Sequence, residues 1–328
     1  MEKLMHAVRY HSYGGGPSAL QHDQIPIPTP NKDEVLIKVE ATSINPFDWK
    51  VQKGMLRPFL PRKFPHIPGV DVTGEVIEVG SGVQKFKPGD KVVSLVSSPN
   101  CGGLAEFAVI KESVTASRPP EISASEGAAL PVAGLTAHQA LTEYAGIKLD
   151  GSGEHKNVLI TAASGGVGQY AVQLAKLANT HVTATCGTRN MKLVRSLGAD
   201  EVIDYKTPDG AALKSPSGKK YDAVIHCAMG IPWSTFEPNL STNGKVVDIT
   251  PSPSALMTFA LKKLTFSKKQ LVPLILIPKV GSLEYLVDLV KNGKLKTVID
   301  SKYPLNKAED AWAKSIGGHA TGKIIVEP

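Results

Sequence analysis

Residues 1–127 alternate short apolar runs with turn residues. The apolar runs lie at 35–39, 70–79, 91–96 and 107–109, and glycine- or proline-rich segments such as 87–90 separate them. Short runs with such boundaries are typical of β-strands joined by tight turns. We therefore expect this part of the chain to form a small, partly open β-barrel.

From residue 128 the pattern changes to strands that alternate with helices. The predicted strands lie at 157–161, 181–185, 201–205, 221–227 and 244–249. The first is continuously apolar, as expected for a strand covered on both faces. The helix after it carries apolar residues at helical spacing, namely Val167, Ala171, Leu174, Ala175 and Ala178. Strands joined by helical crossovers predict a doubly wound parallel sheet, so residues 128–280 are expected to form an α/β domain.

The last segment, residues 281–328, is mixed again. An amphipathic helix is predicted at 282–292, a second helix at 307–315 and a strand at 323–326. We expect this segment to return to the first domain, which is then discontinuous in sequence, with the α/β domain inserted into it.

Composition supports a globular protein of two domains: the 328 residues are 42% hydrophobic and 20% charged. The formal net charge of +7 is modest, and the absence of a basic groove with interleaved aromatic residues argues against nucleic-acid binding. No apolar run reaches the roughly 18 residues that span a bilayer. The first ten residues resemble neither a signal peptide nor a transit peptide, so we expect no cleaved leader.

The segment AASGGVG at 162–168 connects the first strand of the α/β domain to its helix. It follows the dinucleotide fingerprint G-x-G-x-x-G, with Ala163, Gly165 and Gly168 in the three glycine positions. Glycine at 165 lets backbone N–H groups approach a pyrophosphate, and glycine at 168 lets the helix pack against the strand. The helix N-terminus adds a partial positive charge. We therefore predict a dinucleotide held by Ser164, Gly165, Gly166, Val167 and Gly168.

The end of the second strand indicates which dinucleotide binds. NAD-selective proteins carry an acid there, about 20 residues past the glycines, that binds the ribose 2′-OH. This chain has no acid at that place and carries instead Cys186, Gly187, Thr188 and Arg189. Arg189 can pair with a 2′-phosphate and Thr188 can donate to it, so we predict NADPH. The alternative is that Arg189 is a solvated arginine. Tyr205 and Lys206 end the third strand and could flank the adenosine phosphate.

These and other motifs resemble the medium-chain dehydrogenase/reductase superfamily, and more narrowly its zinc-free quinone oxidoreductase branch. The motifs are ATSINPFDWK at 41–50, IPGVDVTGEVIEVG at 67–80, FKPGDKV at 86–92, GGLAEFAV at 102–109, AALPVAGLTAHQA at 128–140, AASGGVGQYAVQLAK at 162–176 and LGADEVIDY at 197–205. The resemblance covers essentially the whole chain. RPFLPRKF at 57–64 and the ending GHATGKIIVEP are similar to plant members of the branch found at the chloroplast envelope.

The resemblance implies a GroES-like catalytic domain at 1–127 to which 281–328 returns, a Rossmann NADP(H)-binding domain at 128–280, and an active site in the cleft between them. It also implies NADPH-dependent reduction of the C=C bond of enones, with quinone reduction known in other members. It places the SINPFDWK loop beside the nicotinamide, which makes Asn45, Asp48 and Lys50 the catalytic candidates. Lys50 is the strongest of these for contacting cofactor or substrate oxygen, and Thr136 is a further nicotinamide contact. The alternatives are a solvated lysine and an ordinary helix threonine.

Ligands sit at the carboxyl ends of parallel strands. The fourth and fifth strands end in Cys227-Ala228 and Ile249-Thr250, and we expect their backbones to contact ribose or nicotinamide. His226 lies within an apolar strand and is interpreted as a hydrogen-bonded core histidine rather than a proton donor.

The zinc positions of the superfamily's alcohol dehydrogenases hold other residues here. Ile44-Asn45-Pro46 replaces the loop with the cysteine ligand, and Val70-Asp71 replaces the His-Glu pair. The three cysteines, Cys101, Cys186 and Cys227, cannot supply a four-thiolate structural site, so we expect no metal and a reducing compartment. Without a Lewis acid, hydride addition to the β-carbon of an enone is easier than addition to a carbonyl, because the charge spreads over an enolate. No residue is marked by its spacing as the general acid, so solvent can supply the proton.

Two further features leave alternatives open. Lys262, Lys263, Lys268 and Lys269 surround the apolar Leu261, Leu264 and Phe266, which indicates either peripheral contact with a membrane or a solvated face.

By resemblance we expect a chloroplast protein at the inner envelope, with the cytoplasm as the alternative. We expect an enone or quinone as substrate and a monomer or homodimer. The competing hypothesis is a catalytically silent, NADPH-binding or structural member of the same fold.

Overall fold

The computed structural model describes residues 3–61, 63–96 and 102–328, so Cys101 lies outside the described residues. The N-terminal segment is rich in strands. In chain order it forms β1 Leu4–Arg9, β2 Gln21–Pro26, β3 Glu34–Ile44, α1 Pro46–Gln52, β4 Asp71–Val79, β5 Lys91–Leu95, β6 Phe107–Lys111, β7 Thr115–Ser117 and α2 Ala124–Ala129. The expectation of a loop at SINPFDWK, residues 43–50, is wrong from Pro46 onward, because Pro46–Gln52 form a helix. Pro46 occupies its first position, where the fixed φ of proline suits a helix and its missing N–H costs nothing.

The middle of the chain alternates strands and helices as predicted. Its elements are α3 Pro131–Gln139, β8 Asn157–Ile160, α4 Gly166–Leu177, β9 His181–Cys186, α5 Met191–Ser196, β10 Glu201–Asp204, α6 Pro208–Ala211, β11 Tyr221–His226, α7 Trp233–Phe236, β12 Leu240–Asp248, α8 Pro253–Leu264 and β13 Gln270–Pro273. The C-terminal segment adds α9 Val280–Lys291, β14 Ile299–Pro304, α10 Ala308–Ile316 and β15 Lys323–Glu327.

The chain divides into two compact units. Unit 1 comprises residues 1–132 and 278–328, and unit 2 comprises residues 133–277. The sequence pattern predicts these two boundaries at 127/128 and 280/281.

In unit 1 the two separate chain segments share one sheet. The strand order is β14-β15-β3-β4-β5-β7, with β6 also paired to β3. β15 lies between β14, to which it is parallel, and β3, to which it is antiparallel. One apolar core also joins the segments, since Trp49 and Leu104 pack in the same cluster as Trp312 and Ile324. The C-terminal segment is therefore an integral part of unit 1.

Unit 2 contains the predicted doubly wound sheet. Its strand order is β10-β9-β8-β11-β12-β13, and each neighbouring pair is parallel. Val158, Leu159 and Ile160 of β8 have no solvent exposure, as a central strand covered on both faces requires. β13 is an edge strand that the sequence pattern did not reveal, because it is short and ends in proline.

Within the described ranges, none of the helices combines the length and the apolar character that crossing a membrane requires.

Candidate functional site

The glycine-rich loop of unit 2 is anchored to the strands on both sides of β8. The backbone N–H of Thr161 donates to the carbonyl of Ile225 at 3.1 Å, and the N–H of Ala163 donates to the carbonyl of Thr185 at 2.9 Å. Between them Ala162 adopts φ 49°, a left-handed backbone conformation that residues other than glycine rarely adopt. The sharp turn into α4 is therefore held by β9 and β11 rather than by the loop alone.

Gly168 has a packing reason to be glycine. An added Cβ would lie 2.4 Å from the carbonyl oxygen of Ala162 and 2.7 Å from the Cα of Ala163. Both contacts are with backbone, which cannot rotate away. At Gly165 the nearest atom to an added Cβ is the Ala162 carbonyl oxygen at 3.2 Å, a much milder contact. The chain itself thus demands glycine at 168, where α4 meets the end of β8.

The N-terminus of α4 is a good site for an anion. The helix begins at Gly166, its first turn carries no acidic residue, and its N-cap residue, Gly165, has no side chain that could cap it. The first N–H groups of a helix have no acceptor within the helix and carry partial positive charge. Val167 lies in this first turn, and Ser164 precedes it with its Oγ accepting a hydrogen bond from Asn190 Nδ2 at 2.9 Å. The geometry therefore suits the pyrophosphate of a dinucleotide.

The sheet brings the other predicted cofactor residues to one edge. Cys186 and Gly187 follow β9, Cys227 and Ala228 follow β11, and Ile249 and Thr250 follow β12. Thr188 and Arg189 are exposed in the turn after β9, and Tyr205, 48% exposed, follows β10. Thr136 lies apart from these strand ends in sequence, on α3, and is buried.

A buried hydroxyl shapes the turn after β11. Thr161 Oγ1 accepts hydrogen bonds from the backbone N–H of Cys227 at 2.9 Å and of Ala228 at 3.2 Å. Its own proton is then available for His226 Nδ1 at 3.0 Å, which must be the unprotonated ring nitrogen. Burial lowers the pKa of His226 to about 4, so the ring is neutral. His226 is the hydrogen-bonded core histidine that the sequence predicted.

The structure places an acid beside the end of β9 that the sequence analysis missed. The Asp204 carboxylate, at the end of β10, accepts a hydrogen bond from the Thr188 hydroxyl. The proton that we expected Thr188 to give to a 2′-phosphate is therefore already engaged. The parallel register could have revealed this acid, because it pairs Asp204 with Cys186.

In unit 1 the predicted residues Asn45 and Asp48 hold the start of α1. Asp48 Oδ2 accepts the backbone N–H of Asn45 at 2.7 Å, and Oδ1 accepts that of Gly69 at 3.3 Å. Asp48 is 3% exposed, and this burial, together with the nearby Asp71 charge, raises the pKa of its carboxyl group to about 7. Lys50 is half-buried on the same helix, with Nζ 5.8 Å from the centroid of the Trp49 ring.

A buried ion pair lies beside Asn45. Lys323 Nζ donates to Asn45 Oδ1 at 2.6 Å and lies 3.3 Å from Asp71 Oδ2. The same Asp71 oxygen accepts from Asn45 Nδ2 at 2.9 Å and from Ser43 Oγ at 2.7 Å, while Oδ1 accepts the N–H of Val132 at 2.8 Å. Neither Lys323 nor Asp71 was among the predicted site residues. The position of Lys323 at the start of the apolar strand 323–326 could have indicated this cluster, because a buried charge requires a partner.

This cluster does not fit a zinc ion. Its donors are amide, hydroxyl and carboxylate oxygens, and the Lys323 ammonium already occupies the oxygens of Asn45 and Asp71. Zinc sites in proteins are built mainly from cysteine and histidine. Across residues 3–61, 63–96 and 102–328, no group of three or more His, Cys, Asp or Glu side chains is placed to hold a metal.

The basic and apolar patch has a mixed character. Leu261, Leu264 and Phe266 are 58%, 77% and 92% exposed. Two of the four lysines contact Glu237. Lys262 pairs with the Glu237 carboxylate at 2.8 Å, and Lys269 donates to the backbone carbonyl of Glu237 at 2.7 Å. Membrane contact therefore stays a prediction.

Two family models match the chain. One is described as alcohol dehydrogenase GroES-like domain and matches residues 31–120, and the other is described as zinc-binding dehydrogenase and matches residues 197–326. The donor set described above does not fit the metal in the second description.

Individual proteins match over nearly the whole chain. The chloroplast envelope quinone oxidoreductase homolog of Arabidopsis thaliana is 72% identical over 99% of both chains. The NADPH-dependent alkenal/one oxidoreductase of the same plant, also described as chloroplastic, is 32% identical over 99% of this chain and 80% of the relative. The solved structure of the quinone oxidoreductase from Coxiella burnetii superposes with a TM-score of 0.88 at 32% identity, covering 99% of this chain and 100% of that one.

Proposed function

Because the chain belongs to the quinone oxidoreductase branch of the medium-chain dehydrogenase/reductase superfamily, we propose that it is an NADPH-dependent reductase of enones. Membership makes it an oxidoreductase that uses a nicotinamide cofactor. The finer proposal is that hydride goes to the β-carbon of an α,β-unsaturated carbonyl compound. The observation that supports the cofactor is the loop before α4, where Gly168 has no room for a side chain and the helix N-terminus suits a dinucleotide. The name of one relative, NADPH-dependent alkenal/one oxidoreductase, supports the enone as substrate.

NADPH is the proposed cofactor because the turn after β9 exposes Arg189 and contains no acid of its own. The name of one relative, NADPH-dependent alkenal/one oxidoreductase, supports the same choice. Arg189→Ala should weaken NADPH binding by about 1–3 kcal/mol, the scale of a lost charge-assisted hydrogen bond, and change NADH binding little. Lys192→Ala, which removes a nearby exposed cation on α5, is the control. Equal losses for the two cofactors in Arg189→Ala would overturn the 2′-phosphate assignment.

When bound, the cofactor supplies the hydride, and the chain must hold the substrate and stabilise the charge that develops on it. We assign Lys50 to the substrate carbonyl oxygen, because an ammonium stabilises an enolate as it forms. Asn45 and Asp48 are proposed as positioning residues, since their buried hydrogen bonds hold the start of the helix that carries Lys50. The α-carbon takes its proton from solvent or through a side chain.

Labelled cofactor tests the reaction directly. NADPH deuterated at the transferred C4 position should leave deuterium on the β-carbon of an enone, with the carbonyl intact. The panel should include enones, alkenals and quinones, with products identified by NMR and mass spectrometry. Label on a carbinol carbon would overturn the proposal. NADPH binding without turnover of any panel member would favour the catalytically silent alternative.

The proposed location in the cell rests on the names of similar proteins. Three relatives that are 68–72% identical to this chain are named as chloroplastic or chloroplast-envelope proteins, so we place this protein in the chloroplast. Attachment to the inner envelope and the choice between monomer and homodimer are further proposals. A small molecule is the expected substrate.

A further inference from the structure

Asp204 stands at the edge of the sheet where the adenosine half of the cofactor is proposed to bind. It is the last residue of β10, and the parallel register pairs it with Cys186, the last residue of β9. The backbone N–H of Tyr205 donates to the Cys186 carbonyl at 3.2 Å, which keeps the two strand ends together. This placement rests on backbone pairing, so Asp204 lies next to the turn that carries Thr188 and Arg189.

Two hydrogen bonds fix the Asp204 carboxylate at this edge. One oxygen accepts from the Thr188 hydroxyl, and the other accepts the backbone N–H of Lys206 at 2.9 Å. These bonds lower the pKa of Asp204, so the group carries a full negative charge at neutral pH. The exposed Arg189 and Lys206 flank the same strand ends. An incoming ribose thus meets one carboxylate among two cations.

We propose that Asp204 is a specificity-determining residue that limits the preference of this protein for NADPH and keeps NADH usable. This inference rests on the proposed nicotinamide cofactor. A carboxylate repels the 2′-phosphate of NADPH, whereas it can accept a hydrogen bond from the 2′-hydroxyl of NADH. The acid that NAD-selective proteins carry at the end of the second strand is here supplied by the neighbouring third strand.

The test compares the affinities of two cofactors for the full chain. Asp204→Asn removes the charge but keeps a carbonyl oxygen that can accept the Thr188 hydroxyl proton. Dissociation constants for NADPH and NADH are measured by cofactor fluorescence. The dissociation constant for NADH divided by that for NADPH should rise about tenfold, the effect expected when one nearby like charge is removed. Asp209→Asn is the matched control: it removes one carboxylate five residues further along, with a side chain that is 78% exposed.

The two Asp204 variants separate the effect of the charge from the effect of the loop conformation. The inference is overturned if Asp204→Asn and Asp209→Asn give the same ratio as the parent protein. It is also overturned if Asp204→Ala shifts the ratio and Asp204→Asn does not, because loop order rather than charge would then be responsible. A parent protein that binds neither NADPH nor NADH would instead refute the proposed function, so the two failures are distinguishable.

Discussion

At the scale of single residues, the backbone of α4 passes so close to the preceding turn that Gly168 has no room for a side chain. A Cβ there would meet two backbone atoms at 2.4 and 2.7 Å. Neither can move without displacing the end of β8 or the helix. The same residue thus serves packing and, through the placement of the helix N-terminus, the proposed cofactor site.

Gly168→Ala should therefore weaken NADPH binding by more than about tenfold and destabilise unit 2 by about 1–3 kcal/mol, as overpacking does. Gly281→Ala is the control, since it lies in α9 with open space around an added Cβ. It should leave NADPH binding unchanged and stability within about 1 kcal/mol. Titration with NADPH and denaturant unfolding measure the two effects. A folded Gly168→Ala protein with unchanged affinity would contradict the role assigned to this loop.

Asp48 gives a residue-scale prediction for pH. Its pKa of about 7 lies above the ordinary 3.8, so between these values the folded protein binds a proton that the unfolded chain has lost. The contribution of this group to stability is therefore complete below about pH 4 and declines as the pH rises to about 7. Asp48→Asn should remove that decline.

Unfolding free energies at pH 5 and pH 8 test this prediction. The loss on going from pH 5 to pH 8 should be smaller in Asp48→Asn than in the parent protein. Asp209→Asn, an exposed carboxylate outside the cluster, should behave like the parent. An identical pH dependence in all three proteins would place the pKa of Asp48 near its ordinary value.

At the scale of elements, α1 is a helix of only seven residues that tertiary contacts hold in place. Helices this short are not stable alone in water. Its first turn is tied to the 69–71 segment through Asp48 and Asn45, and to β15 through Lys323. The orientation of Lys50 on this helix therefore depends on a strand near the other end of the chain.

Lys323→Met should destabilise unit 1 by about 3–5 kcal/mol, because it leaves the buried Asp71 carboxylate without its cation. Lys302→Met makes the same change on the neighbouring β14, where the side chain is 51% exposed and pairs with Glu327. That control should cost less than about 1 kcal/mol. Chemical denaturation of both variants measures the difference. Similar losses in the two would mean that the buried pair contributes no more than a surface pair.

At the scale of the whole molecule, the two units differ in how the chain builds them. Unit 2 is one continuous segment that contains all the strands of its sheet, β8 to β13. Unit 1 needs both chain ends, since β15 pairs with β3 and the buried Trp312 donates from Nε1 to Gln52 Oε1 at 3.0 Å. Removal of the C-terminal segment should thus affect the units unequally.

A chain truncated to residues 1–298 tests this. It lacks β14, α10 and β15, so unit 1 should lose its fold while unit 2 keeps its sheet. Limited proteolysis followed by mass spectrometry should then yield a protected fragment within 133–277, which the full-length protein should not release. Equal protection of residues 3–61 in the truncated and full-length chains would contradict the prediction.

Much of this architecture was predictable because it rests on local patterns. The doubly wound sheet followed from apolar strands alternating with amphipathic helices, and comparisons with known proteins confirmed both the fold class and the family. The glycine loop was recognisable from spacing and context alone. Among the elements that escaped prediction, α1 and β13 are short, and their stability comes from contacts made elsewhere in the chain.

Local patterns were enough to predict the alternation of strands and helices in unit 2, the loop before α4 and the residues at the strand ends, because each depends on neighbours within a few positions. Which distant side chains meet depends on the tertiary fold. It joined Lys323 to Asn45 and Asp71, and it set Asp204 beside Thr188. Such pairs carry no local periodicity, since the residues are brought together by sheet order and register. The buried charge of unit 1 and the proposed control of cofactor choice in unit 2 both arise at that level.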